Sequence, residues 1–280
     1  MSSGLDHAGV SFSRPLPPSP ALVSTPTWHL WLDEHPRPGY LNMSIDSALL
    51  ALAEADGVGF LRLYRWGPPC VSFGRHEPAA RRYDRARIGA LGVDTVRRPT
   101  GGRAVWHDAE LTYAVAAPVG ALGTLRASCA RMHAMLCDAL ALLGVTATAA
   151  PSPPRAAPPA AGSCFETAAG GELLVGGRKV AGSAQLRTER GLLQHGSLLL
   201  GGDQRPLDRL ATSSRPDPDP AAAGPPLGRP VRFADAADAV AHAARQWGGE
   251  WHEIDRGAPI LELAAAYADG FRSEAWTWCR

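Results

Sequence analysis

Lysine is nearly absent: of the 28 basic residues in the chain, all but Lys179 are arginine. The accompanying 30 Gly and 25 Pro are what a GC-rich coding bias produces, so most of the arginines need no functional explanation. A lysine that persists under such a bias differs in kind, because an ammonium is compact and titratable whereas a guanidinium is a planar, permanently charged fork. Composition alone leaves two readings of Lys179 open, a leftover on a solvated turn and an ammonium placed for chemistry. Paired cysteines are missing too. Cys70, Cys129, Cys137, Cys164 and Cys279 are odd in number, scattered, and contain no CxxC, which argues against a disulfide framework or a zinc site and predicts no metal. There is no run of 18 apolar residues, and the first twenty residues lack the charged-then-apolar order of a secretory signal; the expectation is a cytoplasmic protein that does not engage the membrane. With a net charge of +1, no strong field favours nucleic acid or an anionic surface. Neither GxxxxGK[ST] nor GxGxxG occurs, which excludes the P-loop and Rossmann designs.

Apolar periodicity and Gly/Pro punctuation divide the chain. Residues 1–26, rich in Pro and Ser, read as a disordered tail, and 27–280 as one catalytic-size domain. Within it the pattern predicts helices over 45–55, 125–143, 234–247 and 261–275. Strands are predicted over 60–66, 70–73, 92–97, 104–106, 111–116, 172–175, 178–186 and 191–200. Flexible loops are expected at 151–163 (PSPPRAAPPAAGS) and 202–230. Strands and helices interleave without regular alternation, which predicts an α+β fold on a mixed, largely antiparallel sheet with flanking helices.

Three segments carry candidate chemistry. In RRPTGGRAVWHD (97–108) the pair Gly101-Gly102 reads either as a tight turn or as a place where amides approach a ligand oxygen. Arg97, Arg98 and Arg103 around it would cradle a phosphate or a thioester carbonyl. His107-Asp108 is a candidate pair, although neighbours on a strand point to opposite faces. Cys164, at the end of the Pro/Ala stretch, is the cysteine most open to reaction by context, and an ammonium nearby would favour its thiolate. Cys70, Cys129 and Cys137 read as small buried apolar residues. In GRKVAGSAQ (177–185) and QHGS (194–197), small residues leave room for an unbranched chain, and His195 is open as a structural imidazole or a general base.

Together RRPTGGRAVWHDAELTY (97–113), GRKVAGSAQ (177–185) and LQHGSLLL (193–200) resemble the biotin/lipoate protein ligase superfamily, in its lipoate-protein ligase A and octanoyltransferase branch. NMSIDSALL (42–50) and LRLYRWGPPCVSFGR (61–75) are similar to that branch's opening helix and strands. The resemblance implies the catalytic-domain fold shared with class II aminoacyl-tRNA synthetases and an enzyme of protein lipoylation. It also implies an acyl site containing Arg98, Thr100, Gly101, Gly102, Arg103, Ala104, His107, Gly182, Ser183, Ala184, His195 and Gly196, with the family lysine at Lys179. Cys-Phe at 164–165 is similar to the nucleophile position of the cysteine-dependent, LipM-type octanoyltransferases, although the usual Ser-x-Tyr that follows is replaced by Ala168-Ala169-Gly170-Gly171. That type takes octanoyl from acyl carrier protein and gives it to a lysine of lipoyl-domain proteins, namely glycine cleavage H protein or 2-oxo acid dehydrogenase acyltransferase subunits, and needs no cofactor. Two alternatives follow from the same resemblance: an ATP- and Mg2+-dependent lipoate ligase, and a noncatalytic acyl-binding relative.

Overall fold

The computed structural model describes residues 26–150, 172–202, 204–212 and 225–280. Residues 1–25, the loop expected over 151–163, Cys164 and the rest of 165–171, residue 203 and all of 213–224 lie outside the described residues.

The chain opens with β1 (Thr27–Arg37), α1 (Gly39–Asp56), β2 (Gly59–Trp66) and β3 (Cys70–Phe73). Two short helices, α2 (Ala79–Arg82) and α3 (Arg85–Ala90), lead to β4 (Asp94–Arg97), β5 (Val105–His107) and β6 (Glu110–Pro118). Helix α4 (Leu125–Leu142) precedes β7 (Thr148–Ala149), β8 (Leu173–Val175), β9 (Arg178–Arg187) and β10 (Gly191–Leu199). The last part contains α5 (Pro206–Leu210), α6 (Phe233–Ala244), β11 (Glu250–Glu253), α7 (Ala258–Arg272) and α8 (Glu274–Thr277).

Eight strands form one sheet in the order β11-β1-β2-β6-β10-β9-β8-β7, and β4-β3-β5 form a second. In the large sheet only β1 pairs in parallel, with β11 and β2; the other ladders are antiparallel. This is the mixed α+β architecture expected. One face packs Tyr64, Ala114 and Leu193 against Met43, Ile45 and Leu49 of α1 and Ile260 and Ala264 of α7. The opposite face packs Leu63, Tyr113, Val115 and Leu198 against Met132 and Leu136 of α4 and Val240 of α6.

Helix α1 begins six residues before its sequence pattern does. The Gly39 N–H donates to Asp94 Oδ2 at 2.6 Å, so a carboxylate from β4 caps the first turn and replaces the missing local cap. Helix α4 follows the ordinary rule, with Thr124 Oγ1 accepting from the Ala127 N–H at 3.2 Å. Strands β1 and β11 and helices α2 and α3 carried no periodic signal strong enough to predict them. Helix α5 falls inside the expected 202–230 loop. Pro206 presets its first turn, and the i,i+3 pair Leu207 and Leu210 is buried with Val71 and Ile88.

Candidate acyl-binding site

A narrow cleft, with a cavity volume of about 30 Å³, lies over the α1 face of the large sheet, roofed by the loop that joins β4 to β5. Two rows of residues cross its floor. In one, Tyr64, Thr112, Ser197 and Gly182 pair in succession; in the next, Arg62, Ala114, His195 and Ala184 do. Gly196 leaves no room for a side chain, since a Cβ there would stand 2.6 Å from the Gly182 carbonyl oxygen and 2.8 Å from the Tyr113 hydroxyl. That contact lies on the opposite, α4 face; on the cleft face Gly182 and Ala184 of β9 keep the floor low at one end, while Trp66, Tyr64 and Met43 wall the other.

The roof is held by Arg98, which is buried. Its guanidinium donates to the Ser72 carbonyl (2.7 Å) and hydroxyl (2.5 Å), and to the carbonyls of Gly101 (3.1 Å) and Arg103 (2.8 Å). Arg98 therefore folds the loop onto β3 while lining the cleft. The cradle of three arginines expected from sequence is not assembled. Arg97 points away and donates to main-chain carbonyls of the Gly74–Glu77 turn and the C-terminal segment. Adjacent strand residues face opposite ways, which is the reason.

Two histidines tie the roof and floor to buried carboxylates. His195 Nδ1 stands 3.0 Å from Asp46 Oδ2 and its Nε2 2.6 Å from the Thr100 hydroxyl. With the carboxylate taking Nδ1–H, Nε2 accepts from Thr100, so the imidazole latches the loop to α1. Asp46 also accepts from Tyr64 OH (3.0 Å) and Arg62 (3.0 Å), and Arg62 in turn donates to Asp33 (2.7 Å). His107 repeats the design: Nδ1 is 2.7 Å from Glu110 Oε1, Nε2 is 2.5 Å from the Ser72 hydroxyl, and the ring stacks on Trp66 with centroids 3.9 Å apart. Burial holds the His107 pKa below the usual imidazole value despite the opposing pull of Glu110, so this ring is neutral near pH 7. Both exchangeable positions on each ring are occupied within the protein, which favours positioning over general-base work.

The sequence-predicted residues divide as follows. Arg98, His107, Gly182, Ser183, Ala184, His195 and Gly196 line the cleft. Thr100 reaches it through His195, and Gly101, Gly102, Arg103 and Ala104 form the roof behind Arg98. Lys179 is not on the cleft lining: its Nζ stands 2.5 Å from Glu172 Oε1, and its side chain is 3% exposed. Burial pushes the thiols of Cys70, Cys129 and Cys137 up, so none of these is poised as a thiolate. Among the described residues no group of three His, Cys, Asp or Glu could hold a metal ion.

Sequence reasoning missed Asp46, Glu110, Ser72, Thr112, Ser197 and Gly74. One of them left a signal. Asn42 and Asp46 are four residues apart, on one face of an otherwise apolar helix, and both are fully buried. Gly74 has the clearest steric role, because a Cβ there would lie 1.8 Å from the Gly102 carbonyl oxygen.

Known proteins are similar to this chain in sequence and in fold. The Octanoyltransferase LipM of Symbiobacterium thermophilum is 40% identical over 236 residues, 76% of this chain and 84% of that protein. The protein of the same name from Exiguobacterium sibiricum is 33% identical over 284 residues, 90% and 99% of the two chains. Among solved structures, a bi-partite lipoate protein ligase from Thermoplasma acidophilum superposes with a TM-score of 0.70 at 19% identity, over 90% of this chain and 96% of that one; at that identity the likeness speaks for the fold. The family model described as "Lipoyl protein ligase A/B catalytic domain" matches residues 38–226, a span that includes the cleft, its roof and both latching histidines, and the chain belongs to that family.

Proposed function

We propose that the protein is an octanoyltransferase of protein lipoylation that works through a thioester on Cys164. The observation that carries this reading is the identity of 33–40% to octanoyltransferases over most of the chain; a narrow cleft with Gly182 and Ala184 in its lining, small residues of the kind an unbranched acyl chain needs beside it, supports it. The Cys164 thiolate attacks the carbonyl of an octanoyl thioester carried by acyl carrier protein, forming the enzyme thioester and releasing the carrier thiol. The amine of a lipoyl-domain lysine then attacks that thioester, forming the amide and returning the Cys164 thiol. Amides of the Gly101-Gly102 roof stabilise the oxyanion of each tetrahedral intermediate; one such donor contributes on the order of 3 kcal/mol to barrier lowering. Lys179 supplies a positive charge near the reacting thioester, with Glu172 holding the ammonium in place between turnovers. Glycine cleavage H protein and the 2-oxo acid dehydrogenase acyltransferase subunits are the acceptors this chemistry suits.

No cofactor enters these steps. The ATP- and Mg2+-dependent ligase alternative draws on structures at 19% identity, one of them bound with ATP, and that likeness reaches only the fold. No helix among the described residues is long and apolar enough to cross a membrane; the cytoplasm is the site of action that belongs to this proposal. Wild-type protein mixed with octanoyl-acyl carrier protein is expected to show an octanoyl adduct on Cys164 by intact mass and peptide mapping. A Cys164→Ala variant is expected to form neither adduct nor octanoyl-lipoyl domain. Amide formation at the wild-type rate in that variant would rule out the thioester route.

A further inference from the structure

Arg97 is an unusual buried residue. Its side chain is fully enclosed, and its hydrogen bonds among the described residues all go to main-chain carbonyls. Nε donates to Trp276 O (3.0 Å) and Thr277 O (3.1 Å), while one terminal nitrogen donates to Gly74 O (2.8 Å), Glu77 O (2.9 Å) and Arg75 O (3.3 Å). The other terminal nitrogen is buried without a hydrogen-bond partner among the described residues. A guanidinium bonded to neutral carbonyls has a desolvation cost, the largest influence on its charge, which the nearby Glu77 carboxylate offsets only in part, so the arrangement needs a use.

The use lies in what those carbonyls belong to. Arg97 ends β4 and directly precedes the roof loop. Gly74 and Arg75 touch that loop from the other side: Arg75 N–H donates to Thr100 O at 2.8 Å, and Arg98 N–H donates to Phe73 O at 2.8 Å. The C-terminal segment closes the triangle. Trp276 Nε1 donates back to Arg97 O at 3.0 Å, Ala80 N–H donates to Arg280 O at 2.7 Å, and the Trp278 ring packs on Phe73 with centroids 5.1 Å apart. One side chain thus joins three stretches distant in sequence, and two of them frame the roof.

We propose that Arg97 is a positioning residue that clamps α8 against the Gly74–Glu77 turn, so that the C-terminal segment, which is remote from the cleft, sets the height and rigidity of the glycine loop above the bound acyl group. The role in turnover rests on the octanoyltransferase reading; the role in loop rigidity does not. An Arg97→Lys change keeps the charge, but an ammonium presents its donors from one point and cannot reach the α8 and turn carbonyls together.

The test uses full-length protein in two variants, Arg97→Lys and Trp276→Phe, the second removing only the indole N–H bond to Arg97 O in case the first folds poorly. Amide hydrogen exchange is measured in peptides spanning 98–104 without substrate, beside kcat and KM for octanoyl-acyl carrier protein. In Trp276→Phe, exchange across 98–104 is expected to rise about tenfold, as loss of one buried hydrogen bond implies. Exchange in β6 and β10 should stay at wild-type values, and kcat should fall by a similar factor with KM within about twofold. Arg97→Lys is expected to change in the same direction and further. Unchanged loop exchange in a folded variant would overturn the proposal, as would exchange that rises uniformly through the whole sheet. A wild type that transfers no octanoyl group would sink the functional reading, and the exchange result would still judge the clamp.

Discussion

Replacing Gly74 by alanine is the sharpest test of the roof. Gly74 is not among the glycines with positive φ, so its requirement is purely steric. The added Cβ would lie 1.8 Å from the carbonyl oxygen and 2.6 Å from the carbonyl carbon of Gly102, both backbone atoms. Carbon atoms of this kind essentially never stand closer than 3.0 Å to a neighbour, so the roof must lift by more than an ångström or β3 must bend. The roof resists, because Arg98 binds the Gly101 and Arg103 carbonyls and Arg75 N–H binds Thr100 O. Overpacking of this sort costs about 1–3 kcal/mol of stability, and a misplacement of about 1 Å among groups that orient a reaction costs about 100-fold in rate. Gly74→Ala should therefore remain folded, lose about 2 kcal/mol in urea unfolding, and transfer octanoyl about 100-fold more slowly, read as initial octanoyl-amide formation on an apo lipoyl domain. Gly89→Ala supplies the control. Its Cβ meets nothing within 4 Å in α3, so the same chemical change should be neutral for rate and stabilise by about 0.5–1 kcal/mol. A Gly74→Ala enzyme within twofold of the wild-type rate would refute the roof's role.

Two further outcomes are expected. Lys179→Arg keeps the charge in a side-chain site only 3% exposed, where a planar fork does not fit; transfer should fall about 100-fold with little change in far-UV circular dichroism, and near-normal turnover would return Lys179 to the leftover reading. Stability should also depend on pH through His29, His107 and His133, all held below the ordinary 6.5 first by burial. As pH falls through about 6.5 the unfolded chain takes up protons that the native state refuses, so the stability present above that value is lost as pH falls towards the folded-state pKa values. The urea midpoint should be flat from about pH 8 to 7 and decline below about 6.5, with a shallower decline in His107→Gln; a midpoint that rises on acidification would contradict the assignment.

What the sequence made legible follows from range. Helix α4 announces itself with a local cap and one apolar face, and β9 and β10 with small residues in strand patterns, so all three are legible in the sequence. Helix α1 did not show its true start, because Asp94, its cap, is 55 residues away. The edge pair β1 and β11 was missed for the same reason, and because His252 and Glu253 give β11 the look of a solvated loop. At the site, the glycine roof and His195 were found as motifs. Their anchors Asp46 and Glu110 were not, since a buried carboxylate reads as an exposed one until its partners are known. The three arginines of 97–103 look equivalent in a string of letters, yet strand alternation sends Arg97 and Arg98 to opposite sides.

Strand β1 has a consequence for the order in which the protein can form. Thr27 pairs with Glu250 and Trp28 with Trp251, and the Trp28 ring stacks on that of Trp251 at 5.6 Å. Strand β1 therefore waits for β11, the last strand among the described residues, with one edge unpaired until then, and loop-closure entropy makes such a pairing slow. The Arg97 bonds to Trp276 and Thr277 wait as long. A nascent chain can assemble the cleft floor early, but it closes its outer edge and secures its roof only after synthesis has passed α8.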